Sequence, residues 1–149
     1  MTSSSTGGHL SLRRTGVCLD CADAEELAEF YGRLLGWEVT ARDTSPSRKG
    51  GAGWINVRDP AAGVGLNFQA EEWFESPVWP EQAGAQANML HFDIYVDDLD
   101  AAIAKTLAAG GRVADHQPAD RAEDRLRVML DPAGHPFCLF TDEQRAGGF

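Results

Sequence analysis

Gly16-Val17-Cys18-Leu19-Asp20-Cys21 is the stretch that decides how this chain is read. Its alternation predicts a half-buried strand, with Val17, Leu19 and Cys21 on one face and Gly16, Cys18 and Asp20 on the other. Asp23 then stands as a helix cap, and Glu26, three residues later, completes a capping-box pattern. Leu27, Phe30, Tyr31, Leu34 and Leu35 recur at helical spacing and make one apolar face, which Gly36 terminates. Three strand-like pieces follow, at 37–41, 53–58 and 64–69. The turn Asp59-Pro60-Ala61-Ala62-Gly63 divides the last two.

The same order returns further along. His91-Phe92-Asp93-Ile94-Tyr95-Val96 alternates as a strand, and Asp98 caps a helix carrying Leu99, Ala102, Ile103, Thr106 and Leu107. Gly110-Gly111 ends that helix, and strand-like pieces lie at 112–115, 126–130 and 136–140. Asp131-Pro132-Ala133-Gly134 divides the last two. The two caps are 75 residues apart and the two Asp-Pro turns 72, so the chain contains an internal duplication. The expected fold is α+β: two tandem βαβββ modules, at 13–69 and 90–141, forming a curved mixed sheet around a concave cavity. One such unit is too small to cover both its helix and its sheet, so the pair must pack together. Residues 1–12 are expected to be a disordered leader and 142–149 a tail. The connection, 70–89, carries Trp73, Phe74 and Trp79, and its length suits a lid or a packed crossover.

Bulk properties narrow the function. Over 149 residues, 13 Lys and Arg face 23 Asp and Glu, a net charge of −10. Such a chain repels phosphate backbones, so no nucleic-acid partner is expected. No apolar run approaches the roughly 18 residues that span a bilayer, so no membrane partner is expected either. Three cysteines do not make a secreted disulfide framework, and a reducing cytoplasm is the expected compartment. Cys18 and Cys21, three apart on a strand, point to opposite faces and cannot act as a redox pair without a bend.

The stretches Glu29-Phe30-Tyr31 and Leu34-Leu35-Gly36-Trp37, the run His91 to Leu99, and Asp131-Pro132-Ala133-Gly134-His135-Pro136-Phe137-Cys138-Leu139 together resemble the vicinal-oxygen-chelate superfamily, the glyoxalase, bleomycin-resistance and dioxygenase-like proteins. The likeness runs from about residue 13 to 141 in the family's order. Metal-using members draw ligands from the first and last strands of each module, which the resemblance maps onto Gly16, Leu66, His91 and Cys138. Gly16 and Leu66 cannot ligate, and two ligands cannot hold a catalytic zinc. Asp20 or Asp93 as a third ligand would lie too far along its strand. The resemblance therefore implies no metal and no cofactor, and it implies a homodimer.

Strand alternation sends His91, Asp93 and Tyr95 inward, with Cys18 and Asp20 opposite them. Phe68, Cys138 and Phe140 are expected to face inward from the closing strands. His91 near Asp20 and Asp93 is a candidate general base with candidate acids. Cys18, Phe68, Tyr95, Cys138 and Phe140 are candidate ligand contacts. Three functions remain open. The first is a metal-free protein that binds a small hydrophobic or aromatic molecule. The second is a metal-free lyase or isomerase using His91 with Asp93 or Asp20, and the third a metal-dependent glyoxalase- or dioxygenase-like enzyme.

Overall fold

The computed structural model describes residues 15–43, 51–59, 61, 63–119 and 122–141. The expected leader and tail and His9 lie outside them. The first module runs β1 (Gly16–Cys21), α1 (Ala24–Leu35), β2 (Glu38–Arg42), β3 (Trp54–Arg58) and β4 (Gly65–Ala70). The second runs β5 (Asp93–Tyr95), α2 (Leu99–Ala109), β6 (Arg112–Val113), β7 (Leu126–Leu130) and β8 (Pro136–Phe140). Each module builds a four-stranded mixed sheet, ordered β1-β4-β3-β2 and β5-β8-β7-β6. The first strand of each module is therefore a sheet edge, paired parallel to the module's last strand.

Local chemistry explains the helix bounds. The Asp23 carboxylate accepts the N–H groups of Glu25 and Glu26, and the Asp98 carboxylate accepts that of Ala101. Gly36 and Gly110 stop their helices in the left-handed region, at φ 71° and 111°, where a side chain would be strained. In α1 the buried set is Ala24, Leu27, Ala28, Phe30, Tyr31 and Leu34. The face of α2 is rotated from its expected position: Leu99, Thr106 and Ala109 are buried while Leu107 is exposed. Thr106 can be buried because its hydroxyl donates to the carbonyl of Ala102, 2.9 Å away.

One apolar core spans both modules, and α1 sits at its centre. The Tyr31 ring stacks on Phe68 of its own module at 5.5 Å and meets Phe92 of the other edge-on at 6.0 Å. Phe30 lies 6.2 Å from Phe137 on β8. Tyr31 also donates its hydroxyl to Asp131 Oδ2 at 2.8 Å, across 100 residues of sequence. Asp131 is 2% exposed. Its Oδ1 accepts the N–H groups of Ala133 and His135, at 2.9 and 3.0 Å, and His135 Nδ1 lies 2.8 Å from Oδ2. Burial and the neighbouring Asp131 charge hold the Tyr31 hydroxyl well above its usual value, so it stays a donor.

A smaller core lies on the other face of the second sheet, where Trp79 of the crossover covers Val128, Leu126 and Phe140. The Trp79 indole N–H donates to the carbonyl of His116 at 2.9 Å, and the Ser76 hydroxyl to that of Ala133 at 2.7 Å. Among the described residues, no helix is long and apolar enough to cross a membrane.

Tyr31→Phe leaves a buried carboxylate short of one donor, which should lower unfolding free energy by about 1–3 kcal/mol in urea titrations. The raised values of Tyr31 and Cys21 also make folding favour their neutral forms. That stability is complete below the free thiol's 9.0 and is lost as pH climbs toward about 12. The urea midpoint should fall across this window, less steeply in Tyr31→Phe.

Candidate functional site

A cavity of about 450 Å³ opens at the seam between the two modules, where β1 faces the approach to β5. Cys18, Leu19 and Asp20 of β1 form one wall. The approach to β5 forms another, with Met89, Leu90, His91 and Phe92. The crossover closes a third side with Glu71, Trp73, Phe74 and Glu75, while His135 and the edge of Tyr31 complete the floor. Asp20, Glu71 and Glu75 give the cavity a negative potential, and no Lys or Arg among the described residues lines it. Trp73, Met89 and Leu90 are 86%, 92% and 62% exposed, so an apolar rim surrounds the opening.

The structure places the predicted residues as follows. Cys18, Asp20 and His91 line the cavity. Asp93, Tyr95, Cys138 and Phe140 share the inward face of the second sheet but do not line it. Phe140 is buried instead in the small core, 5.8 Å from Tyr95. Phe68 and Leu66 do not face inward. The parallel register pairs Val17 with Leu66 and Leu19 with Phe68, which puts both on the helix side, and Phe68 is fully buried against Tyr31. The inward residues of β4 are Asn67 and Gln69. The two candidate acids, Asp20 and Asp93, do not occupy corresponding places in the two modules. The cap-to-cap offset aligns Asp93 with Cys18, as do their pairings to Cys138 and Asn67.

His91, Asp93 and Cys138 each offer one ligand atom, and the three atoms lie within 4.8 Å of one another. His91 Nε2 is 3.6 Å from Asp93 Oδ1. Asp93 is thus nearer than the strand count suggested, because Cys138 stands directly opposite it in the ladder. The set of one nitrogen, one oxygen and one sulfur fits a borderline ion such as zinc, whose catalytic sites use three protein groups and a water. It does not fit magnesium, which demands oxygen. The positions opposite, Gly16, Cys18 and Asn67, add no comparable set.

Both thiols on β1 are held protonated. Burial, then Asp20 and Glu71, push the Cys18 thiol up. Burial, then Asp23 and Asp131, push Cys21 up to about 12, and its thiol donates to the Gln69 carbonyl at 3.4 Å.

His135 is not among the site residues expected from the sequence. It lines the cavity, 5.7 Å from the Phe74 ring, and is braced by the carboxylate four residues before it. The available signal was the difference between the two Asp-Pro turns, where Gly63 occupies the corresponding place.

Paired βαβββ units, each with a mixed sheet, and a pocket on the seam between them define a protein of the vicinal-oxygen-chelate superfamily. The chain belongs to the Glyoxalase-like domain family, which matches residues 16–140. Three solved structures illustrate the shared fold. TnmS3, an antibiotic binding protein from Streptomyces sp. CB03234, is 21% identical with a TM-score of 0.53, covering 89% of this chain and 98% of its own. A glyoxalase family protein from Enterococcus faecalis is 20% identical with a TM-score of 0.58, covering 84% and 94%. A glyoxalase/bleomycin resistance protein/dioxygenase family enzyme from Burkholderia phytofirmans PsJN is 15% identical with a TM-score of 0.59, covering 89% and 98%. No curated protein sequence matches this chain.

Iodoacetamide labelling read by mass spectrometry should leave Cys21 unmodified until denaturant is added. Cys18 should react more slowly than the same residue in the unfolded chain at equal pH. Fast labelling of Cys18 at neutral pH would contradict the electrostatics described.

Proposed function

We propose that this protein binds a small aromatic or apolar molecule, neutral or cationic, in the seam cavity and does so without a metal. The observation that carries the reading is the cavity itself. Its volume falls in the range typical of small-molecule sites, roughly 300–1,000 Å³. Leu19, Trp73, Phe74, Met89, Leu90 and Phe92 supply apolar contact area, and a few polar groups at fixed places supply orientation. Exposed large apolar side chains concentrated at an opening mark a surface that is covered when it works. The Streptomyces neighbour is an antibiotic binding protein, but at 21% identity the likeness shows the fold alone. The acidic lining sets the charge preference.

A second reading follows from the His91–Asp93–Cys138 cluster. There the protein is a metal-dependent enzyme whose ion, held by those three groups, polarises an oxygenated substrate. Elemental analysis of protein purified without chelators separates the two. Stoichiometric zinc that is lost in His91→Ala would favour the second reading.

Trp73 at the cavity rim makes intrinsic fluorescence a direct probe. A naphthylmethylamine should quench it saturably, while the matching naphthoate should not. Binding of the amine should survive EDTA and change by less than about threefold in His91→Ala, as expected of a rim contact. Asp20→Asn should weaken it by about two- to fivefold, the range for a partly exposed ion pair. Absence of saturable binding by any aromatic probe would refute the proposal.

A further inference from the structure

Asp131 does two jobs that separate on inspection. Its Oδ1, taking the N–H groups of Ala133 and His135, closes the turn between β7 and β8. The first module has the counterpart of the first of these bonds: Asp59 Oδ1 accepts the N–H of Ala61 at 2.8 Å. There, the position corresponding to His135 is Gly63. An imidazole is therefore not needed to make the turn. Oδ2 serves the other purpose, taking the Tyr31 hydroxyl at 2.8 Å and facing His135 Nδ1 at 2.8 Å.

That second contact fixes the ring. A carboxylate only accepts, so the contact is satisfied when Nδ1 carries the proton. The Asp131 side chain is 0% exposed and the Tyr31 hydroxyl stays neutral, so neither water nor a second anion competes for the position. The remaining polar atom, Nε2, is then left with a lone pair. Among the described residues no buried side-chain nitrogen or oxygen lacks a partner. Among the described residues no group bonds Nε2, so that atom is open to a partner from outside, and the cavity is what His135 lines.

We propose that His135, oriented by Asp131, is the hydrogen-bond acceptor of the seam cavity, and that it selects ligands presenting an N–H or O–H donor on their aromatic body. Phe74, 5.7 Å from the imidazole, offers a face for that body beside the acceptor. His135 is then a specificity-determining residue and Asp131 a positioning residue acting through it. The inference rests on the cavity binding small molecules, as proposed above.

The test pairs two probes of nearly equal shape, 2-naphthol and 2-methoxynaphthalene, in NMR titrations of the full chain and of His135→Asn. Asparagine keeps an N–H donor near the place of Nδ1, and its Oδ1 stands where the ring carbon Cδ2 was, short of Nε2, so it preserves the brace while taking the acceptor out of its place. In the wild type, 2-naphthol should bind about three- to tenfold more tightly, the range of one neutral hydrogen bond. His135→Asn should bring the ratio of the two affinities to about one while the protein keeps its thermal stability. A purely structural histidine would leave the preference intact. Long-range proton–nitrogen spectra of the free protein at mildly alkaline pH should find Nδ1 protonated and Nε2 bare. Equal binding of the two probes by the wild type, or a proton on Nε2, overturns the inference alone. If neither probe binds, the binding reading fails and takes this inference with it.

Discussion

A carboxylate removed from water must find donors for its lone pairs, and the position of Asp131 obliges two modules to supply them. Two backbone N–H groups come from its own turn, a phenol comes from α1, and an imidazole stands against the remaining edge. Apolar packing alone would let α1 slide against the second sheet, because dispersion and burial are non-directional. The Tyr31 hydroxyl is directional. It fixes the rotation of the helix that carries the aromatic core, and with it the relative placement of the two sheet edges. The width of the seam, and hence the cavity, follows from that contact.

Duplication has left two copies of one architecture with divided duties. Where α1 has Tyr31, the cap-to-cap offset puts Thr106 in α2, whose hydroxyl satisfies itself on the preceding turn and reaches no other module. Where the second module has His91, Asp93 and Cys138, the first has Gly16, Cys18 and Asn67. One half supplies the lever that positions, together with Cys18 and Asp20; the other supplies both cavity imidazoles and the His91–Asp93–Cys138 cluster. The crossover joins them and also walls the site, pinned near its middle by Ser76 on the Ala133 carbonyl and by Trp79 on that of His116.

Much of this was legible in the sequence because it depends on periodicity. The alternation from Gly16 to Cys21, the caps Asp23 and Asp98, and the stop at Gly36 are local signals that packing did not override. The register of β4 was misread where the choice lay between Leu66 and Phe68 on one face and Asn67 on the other. The aromatic ring suggested a ligand contact, but a fully apolar pair is more strongly drawn to the helix side, and the parallel ladder with β1 enforces it. The cavity wall was not legible, since the crossover has no repeating pattern from which to infer a face. Nor was the role of His135, which depends on a tyrosine far away in the chain holding the same carboxylate.

Gly16 carries a consequence for how such a protein can change. A Cβ built there would stand 2.5 Å from Asn67 Nδ2, closer than real side chains approach. Asn67 cannot yield freely, because its Oδ1 holds Asn56 Nδ2 at 2.6 Å and Asn56 is itself bonded to Thr40. A row of hydrogen-bonded side chains, Asn67, Asn56 and Thr40, thus occupies the inner face of the first sheet and crowds the corner at residue 16. A larger residue at 16 therefore requires the Asn67 side chain to turn aside, at the expense of its bond to Asn56 and so of the order of the whole row.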